Sequence, residues 1–113
     1  MIRRTSFFAF APLVLGLSLA LPAHADDGSV TLTLKNHRFE PDVIEIAAQR
    51  KVKLVIKNMD ASAEEFDSDD LHREKLIPAG KEAVINIGPL KPGSYKFKGE
   101  YNASTATGTI VVK

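Results

Sequence analysis

Glu65 and Asp67 stand two residues apart in the run Glu64-Glu65-Phe66-Asp67-Ser68-Asp69-Asp70. If that run is extended, this spacing sends both carboxylates to one side and Glu64 with Phe66 to the other. A pair of carboxylates facing the same way repels unless a cation or a base stands between them. Such a pair offers hard oxygen ligands, suited to iron, manganese or another oxygen-seeking ion better than to copper(I). His72 would add one nitrogen and raise the affinity for iron or copper(II). The same acids also read as a solvated loop cap, with aspartate favoured at a helix N-terminus. An EF-hand is excluded: counting from Asp67, the sixth position is His72 where glycine is required, and the twelfth is Pro78 where a bidentate glutamate belongs.

Soft-metal chemistry has little to work with. The chain has no cysteine, and Met59, the one methionine beyond the N-terminal segment, makes a poor copper(I) site alone and reads as a packing or loop residue. His37 falls in a turn after the first strand and reads as a surface residue. The hydroxyls of Ser104 to Thr107 have no base close in sequence, which gives little support for a nucleophile. Asn102-Ala103-Ser104 matches a glycosylation acceptor, expected to stay unmodified in an exported bacterial chain.

The N-terminus sets the compartment. Arg3 and Arg4 precede an apolar run from Phe7 to Leu21, and Ala23-His24-Ala25 is a small-x-small cleavage site before Asp26-Asp27. Residues 1–25 are expected to be a signal peptide and residues 26–113 the mature domain, periplasmic and without a membrane span after processing. The apolar run is short for a span and is broken by Pro12. The remaining length suits a single core. Without Arg3 and Arg4 the 15 basic residues become 13, against 14 acids. A net charge this close to zero favours neither nucleic acid nor an anionic membrane. With no disulfide available, stability must come from apolar packing.

The elements that position these acids are strands. Val30, Leu32 and Leu34 alternate with Thr31, Thr33 and Lys35, and Val52, Leu54 and Ile56 with Lys51, Lys53 and Lys57. Shorter runs follow at Val43 to Ala47, Glu82 to Ile87, Ser94 to Lys98 and Thr107 to Val112, separated by Pro41, Pro78-Ala79-Gly80, Pro89 and Pro92-Gly93. This predicts an all-β Greek-key sandwich of about seven strands. Asp60 to Lys75 departs from the pattern and is expected to be a crossover connection with room for a helical turn.

The series Phe39-x-Pro41, Ile44-x-Ile46, Val52-x-Leu54-x-Ile56-x-Asn58-x-Asp60, Pro78-x-Gly80, Leu90-x-Pro92-Gly93-x-Tyr95-x-Phe97 and Gly108-x-Ile110-x-Val112 resembles the cupredoxin domain over nearly all of the mature chain. Gln49-Arg50 stands where that family usually turns with a glycine. The resemblance puts a blue-copper site's two histidines at Glu64 and Asn102, its cysteine at Gly99 and its methionine near Ala106, so all four ligands are replaced. A type 1 centre needs the thiolate, which excludes blue-copper electron transfer.

A narrower resemblance remains. Glu64-Glu65-Phe66-Asp67, Arg73-Glu74-Lys75 and Pro78-Ala79-Gly80 are similar to the periplasmic cupredoxin-like components of bacterial ferrous-iron transport systems. That similarity implies an oxygen-rich metal set of Glu65, Asp67, Glu74, Glu100 and Asn102, the last two from the closing loop. It implies iron or another oxygen-seeking ion, with copper(II) less suited, and a periplasmic iron-binding protein or membrane permease as partner. Oxidising ferrous iron would need an electron acceptor from a second metal or a partner, so the expectation is a binding or transfer protein more than an enzyme. The alternative is a metal-free scaffold that docks through Asp60 to Lys75 and Lys98 to Gly108. Fold alone does not separate the two.

Overall fold

The computed structural model describes residues 28–113 and, before them, a two-residue strand β1 at Ala23–His24. The remainder of the expected signal peptide, with its cleavage after Ala25, lies outside the described residues. Nine further strands follow: β2 Ser29–Lys35, β3 Arg38–Glu40, β4 Val43–Ile46, β5 Val52–Asn58, β6 Glu64–Ser68, β7 Arg73–Ile77, β8 Glu82–Ile87, β9 Gly93–Gly99 and β10 Thr107–Val112. They form a six-stranded sheet in the order β1-β4-β10-β9-β6-β7 and a four-stranded sheet in the order β3-β2-β5-β8. Both sheets mix parallel and antiparallel pairs, as where β2 runs parallel to β5 and β5 antiparallel to β8.

Alternation dictates the packing. On β2 the side chains of Val30, Leu32 and Leu34 are buried, and on β5 those of Val52, Leu54 and Ile56, while Thr31, Lys53 and Lys57 between them are exposed. A sheet with one apolar face must bury it on another, and the inner faces close into one core. Under the β6 and β9 end the core is aromatic. Phe66 and Phe97 stack with centroids 5.2 Å apart, and Phe39 meets Phe97 edge-on at 5.2 Å. Because Phe66 and Phe97 point inward, Asp67 and Lys98 must point outward.

The expected crossover with a helical turn is instead a loop at 60–63 followed by the hairpin of β6 and β7. That hairpin, with short β3, raises the strand count above the expected seven. β6 escaped the apolar pattern because its inward positions are Glu64, Phe66 and Ser68, so two of three buried side chains are polar. The loop ahead of it is organised by Asn58, whose Nδ2 donates to the carbonyls of Ser62 (2.9 Å) and Ile77 (3.1 Å) while its Oδ1 accepts from the Asp60 N–H at 3.0 Å. The Asp60 carboxylate in turn accepts from the N–H groups of Asn36 and His37, at 2.7 and 3.0 Å. His37 is thus fixed through its backbone in an exposed turn. Gln49 takes a φ of 62° where the resemblance expects glycine. The turn keeps its left-handed geometry at a cost of about 1 kcal/mol.

Candidate functional site

Antiparallel register builds the acidic surface. Asp67 on β6 lies opposite Glu74 on β7 and Lys98 on β9, and directly opposed residues share a face. Lys98 Nζ lies 3.9 Å from Asp67 Oδ2 and 3.4 Å from Glu100 Oε2. Lys98, a residue the sequence reading left out, is therefore the base beside Asp67 and Glu100, and it does not reach Glu65. Two surface hollows meet at Asp67. One runs across Asp42, Lys96, Lys98 and Thr107, the other across Asp69, His72 and Glu74.

The expected metal set divides in this geometry. Asp67 and Glu100 flank Lys98 on the outer surface, and Glu74 stands opposite Asp67 on β7. Glu65 projects from the same side of β6, but its Oε2 accepts the Tyr101 hydroxyl at 3.3 Å. Asn102 is turned inward, its Nδ2 donating to Glu64 Oε2 at 2.6 Å. Among the described residues, no group of three or more His, Cys, Asp or Glu side chains is disposed to hold a metal ion as it stands.

Beneath that surface, the four positions of the vanished copper ligands converge. Glu64 is 1% exposed, and its Oε1 accepts the Tyr101 N–H at 2.8 Å and the Glu65 N–H at 3.0 Å. Gly99 lies against it: a Cβ at residue 99 would stand 2.6 Å from Glu64 Cδ and 2.9 Å from Ala106 Cβ. The Gly99 N–H donates to the Ala106 carbonyl at 2.8 Å, closing the loop. The Glu64 side chain thus fills the space that a side chain at residue 99 would take. The donor set there is one carboxyl and one amide, with no thiolate and no imidazole, and it does not fit type 1 copper. Glu64 is the residue whose importance the sequence reading missed. The available signal was an acid at a ligand position with a glycine where its neighbour should be bulky.

Burial pushes the Asp67 carboxyl above its ordinary value, helped by a hydrogen bond to Glu100 and by the negative charges of Asp69 and Glu100; Lys98 opposes the shift. The Lys98 ammonium is held charged chiefly by its hydrogen bond to Glu100. Burial, and then the charge of Glu65, pushes the Tyr101 phenol up. Since Asp67 binds its proton more tightly in the folded chain, its contribution to stability is complete below the unfolded value and is lost as pH rises through the folded one. Asp67→Asn is therefore expected to raise the urea midpoint at neutral pH and to leave it unchanged in strong acid. Equal midpoints for the two proteins at neutral pH would contradict this account of Asp67.

The family described as Cupredoxin-like domain matches residues 7–112. A Rickettsia prowazekii protein, RP394, is 42% identical over 83 residues, covering 74% of this chain and 66% of that protein. The chain thus spans just under two thirds of that relative's length. Among solved structures, the metal-binding domain of the Streptococcus pneumoniae Cu(I)-exporting P-type ATPase CopA superposes with a TM-score of 0.72 at 14% identity, covering 84% of this chain and 98% of that one. Auracyanin A, a blue copper protein of Chloroflexus aurantiacus, gives 0.66 at 11% identity, covering 80% and 100%. At these identities the likeness shows the fold alone.

Proposed function

The chain belongs to the cupredoxin-like domain family, and from that premise we propose that it is an exported component of iron uptake that takes ferrous iron as cargo on outer-face carboxylates. The observation that carries this reading is the grouping of Asp67 and Glu100 about Lys98, with Glu74 directly opposite Asp67 on β7. These are hard oxygen donors, matched to iron(II) or manganese(II). In the metal-free protein the ammonium of Lys98 offsets the charge of Asp67 and Glu100. An arriving divalent cation takes the place of the lysine ammonium beside these carboxylates, and because the ligands must be deprotonated its affinity falls as pH is lowered. Glu65 flanks the group and joins it on leaving the Tyr101 hydroxyl.

A site on the open face suits transfer. Loaded iron is exposed to a periplasmic iron-binding protein or a membrane permease, and no lid has to move. The chain has no thiolate, so any oxidation of the cargo would draw on an electron acceptor in a partner. A second reading is favoured by the filled copper position: a scaffold closed by Glu64 that binds no ion and docks through its surfaces.

Anaerobic calorimetric titration with iron(II), manganese(II) and copper(II) separates the readings. Iron(II) is expected to bind more tightly than roughly 100 μM, and Glu65→Ala with Asp67→Ala is expected to weaken it at least ~10-fold. No binding in that range, or binding that the double variant leaves intact, would establish the closed scaffold.

A further inference from the structure

The near-zero net charge conceals a division between the two faces of the sandwich. Along β5, Lys53 and Lys57 point away from the core, and Lys51 just ahead of it is exposed in the same alternation. Next to them Lys35 on β2 stands opposite Arg38 on β3, both exposed. The acids from this sheet are Glu40 and Glu82, against five basic side chains. Among the described residues no ion pair engages any of the five. On the opposite side of the molecule the balance reverses: Glu65, Asp67 and Glu74 on the outer surface of the six-stranded sheet, with Asp69, Asp70 and Glu100 at its margin, outnumber Lys96 and Lys98 on β9.

We propose that the outer face of β2, β3, β5 and β8 is a docking surface for an anionic phospholipid bilayer. The charge is complementary, and three features favour lipid over an acidic protein. The face is a sheet surface carrying its charge mainly on lysines, point charges on flexible stems that need no matched partner geometry. It lacks the aromatic anchors around which protein interfaces concentrate their binding energy, and lysine is depleted in such interfaces. At its centre Val55 and Val84 stand directly opposed, with Val84 46% exposed, a small apolar ridge with Lys53 and Lys57 to either side along β5 and Asn86 and Glu82 along β8. Docking by this face turns the acidic surface toward the aqueous side, where repulsion from the same lipids would hold it. The proposal stands independently of what the carboxylates bind.

The test is vesicle co-sedimentation of the protein as recovered after export, with phosphatidylcholine alone and with about 30 mol % phosphatidylglycerol. Binding is expected only to the anionic vesicles and is expected to fall steeply between about 50 and 300 mM salt. At about fivefold per lysine, Lys53→Glu with Lys57→Glu should weaken it at least tenfold. Lys53→Gln with Lys57→Gln, which adds no negative charge to the sheet, should give a smaller loss in the same direction. Lys91→Glu with Lys96→Glu, the latter on β9 of the other sheet, makes the same change in net charge elsewhere and should stay within about threefold of the parent. Equal binding to neutral vesicles, or equal losses for the two charge-reversed pairs, would overturn the proposal. So would binding to whole membranes but not to protein-free anionic vesicles, which would assign the face to an acidic protein.

Discussion

Glu64→Ala is expected to lower the unfolding free energy by about 3 kcal/mol, the largest effect of any single truncation near the closing loop. The side chain accepts the backbone N–H of Tyr101 and the amide of Asn102, which come from the 3₁₀ turn Glu100–Asn102. Removing it strands both donors in a pocket closed by Gly99 and Ala106. Each unsatisfied donor costs about 1 to 3 kcal/mol, and the vacated volume adds a cavity term. Relief from desolvating the carboxyl works in the other direction and is the smaller effect, because all three N–H groups around it are already satisfied by it. Glu64→Gln keeps one acceptor oxygen and should recover more than half of the loss. Urea unfolding of the three proteins decides the matter, and an alanine variant within 1 kcal/mol of the parent would show that the loop closes without this residue.

Gly99→Ala should cost about 2 kcal/mol even though it adds a single methyl group. The backbone at Gly99 has φ −91° and ψ 114°, an extended conformation open to any residue. Glycine is needed there for space. The new carbon would lie 2.6 Å from Glu64 Cδ and 2.9 Å from Glu64 Oε2, inside any normal contact. In a strand the same substitution would otherwise gain up to about 1 kcal/mol by reducing chain entropy, so the clash outweighs that gain. The penalty should fall by about half when Glu64→Ala is present, since the 2.9 Å contact with Ala106 Cβ remains, a coupling of about 1 kcal/mol in a double-mutant cycle. A penalty of the same size in both backgrounds would mean that Gly99 is required for some reason other than the Glu64 side chain.

Much of the fold was legible because β2 carries an unbroken two-residue alternation of apolar and polar residues and β5 one interrupted only at Val55, a pattern with one structural solution. β6 was not, since Glu64 and Ser68 are buried and polar, and their partners lie far along the chain: Tyr101 is 37 residues from Glu64, and Lys96, whose carbonyl accepts the Ser68 hydroxyl, is 28 from Ser68. No local pattern announces such pairings. The same limit applies to the site. The alternation rule placed Glu65 and Asp67 on one face, as the structure has them, but Lys98 enters through sheet register, and the inward turn of Asn102 through a hydrogen bond. Mapping the copper ligands onto Glu64, Gly99, Asn102 and Ala106 identified four positions that do converge. It did not reveal that Glu64 fills the space between them. Net charge, being a sum, gave no sign that lysines and acids lie on opposite faces.

The proposed function puts iron on the outer carboxylates and not at the buried position around Glu64. Its most direct test is anaerobic iron(II) calorimetry on two conservative variants that change one oxygen each, Asp67→Asn and Glu64→Gln. Asp67→Asn is expected to weaken binding at least ~10-fold, whereas Glu64→Gln should leave the affinity within about threefold of the parent. The reverse pattern, with Glu64→Gln abolishing binding and Asp67→Asn sparing it, would contradict the account and put the metal back at the buried position.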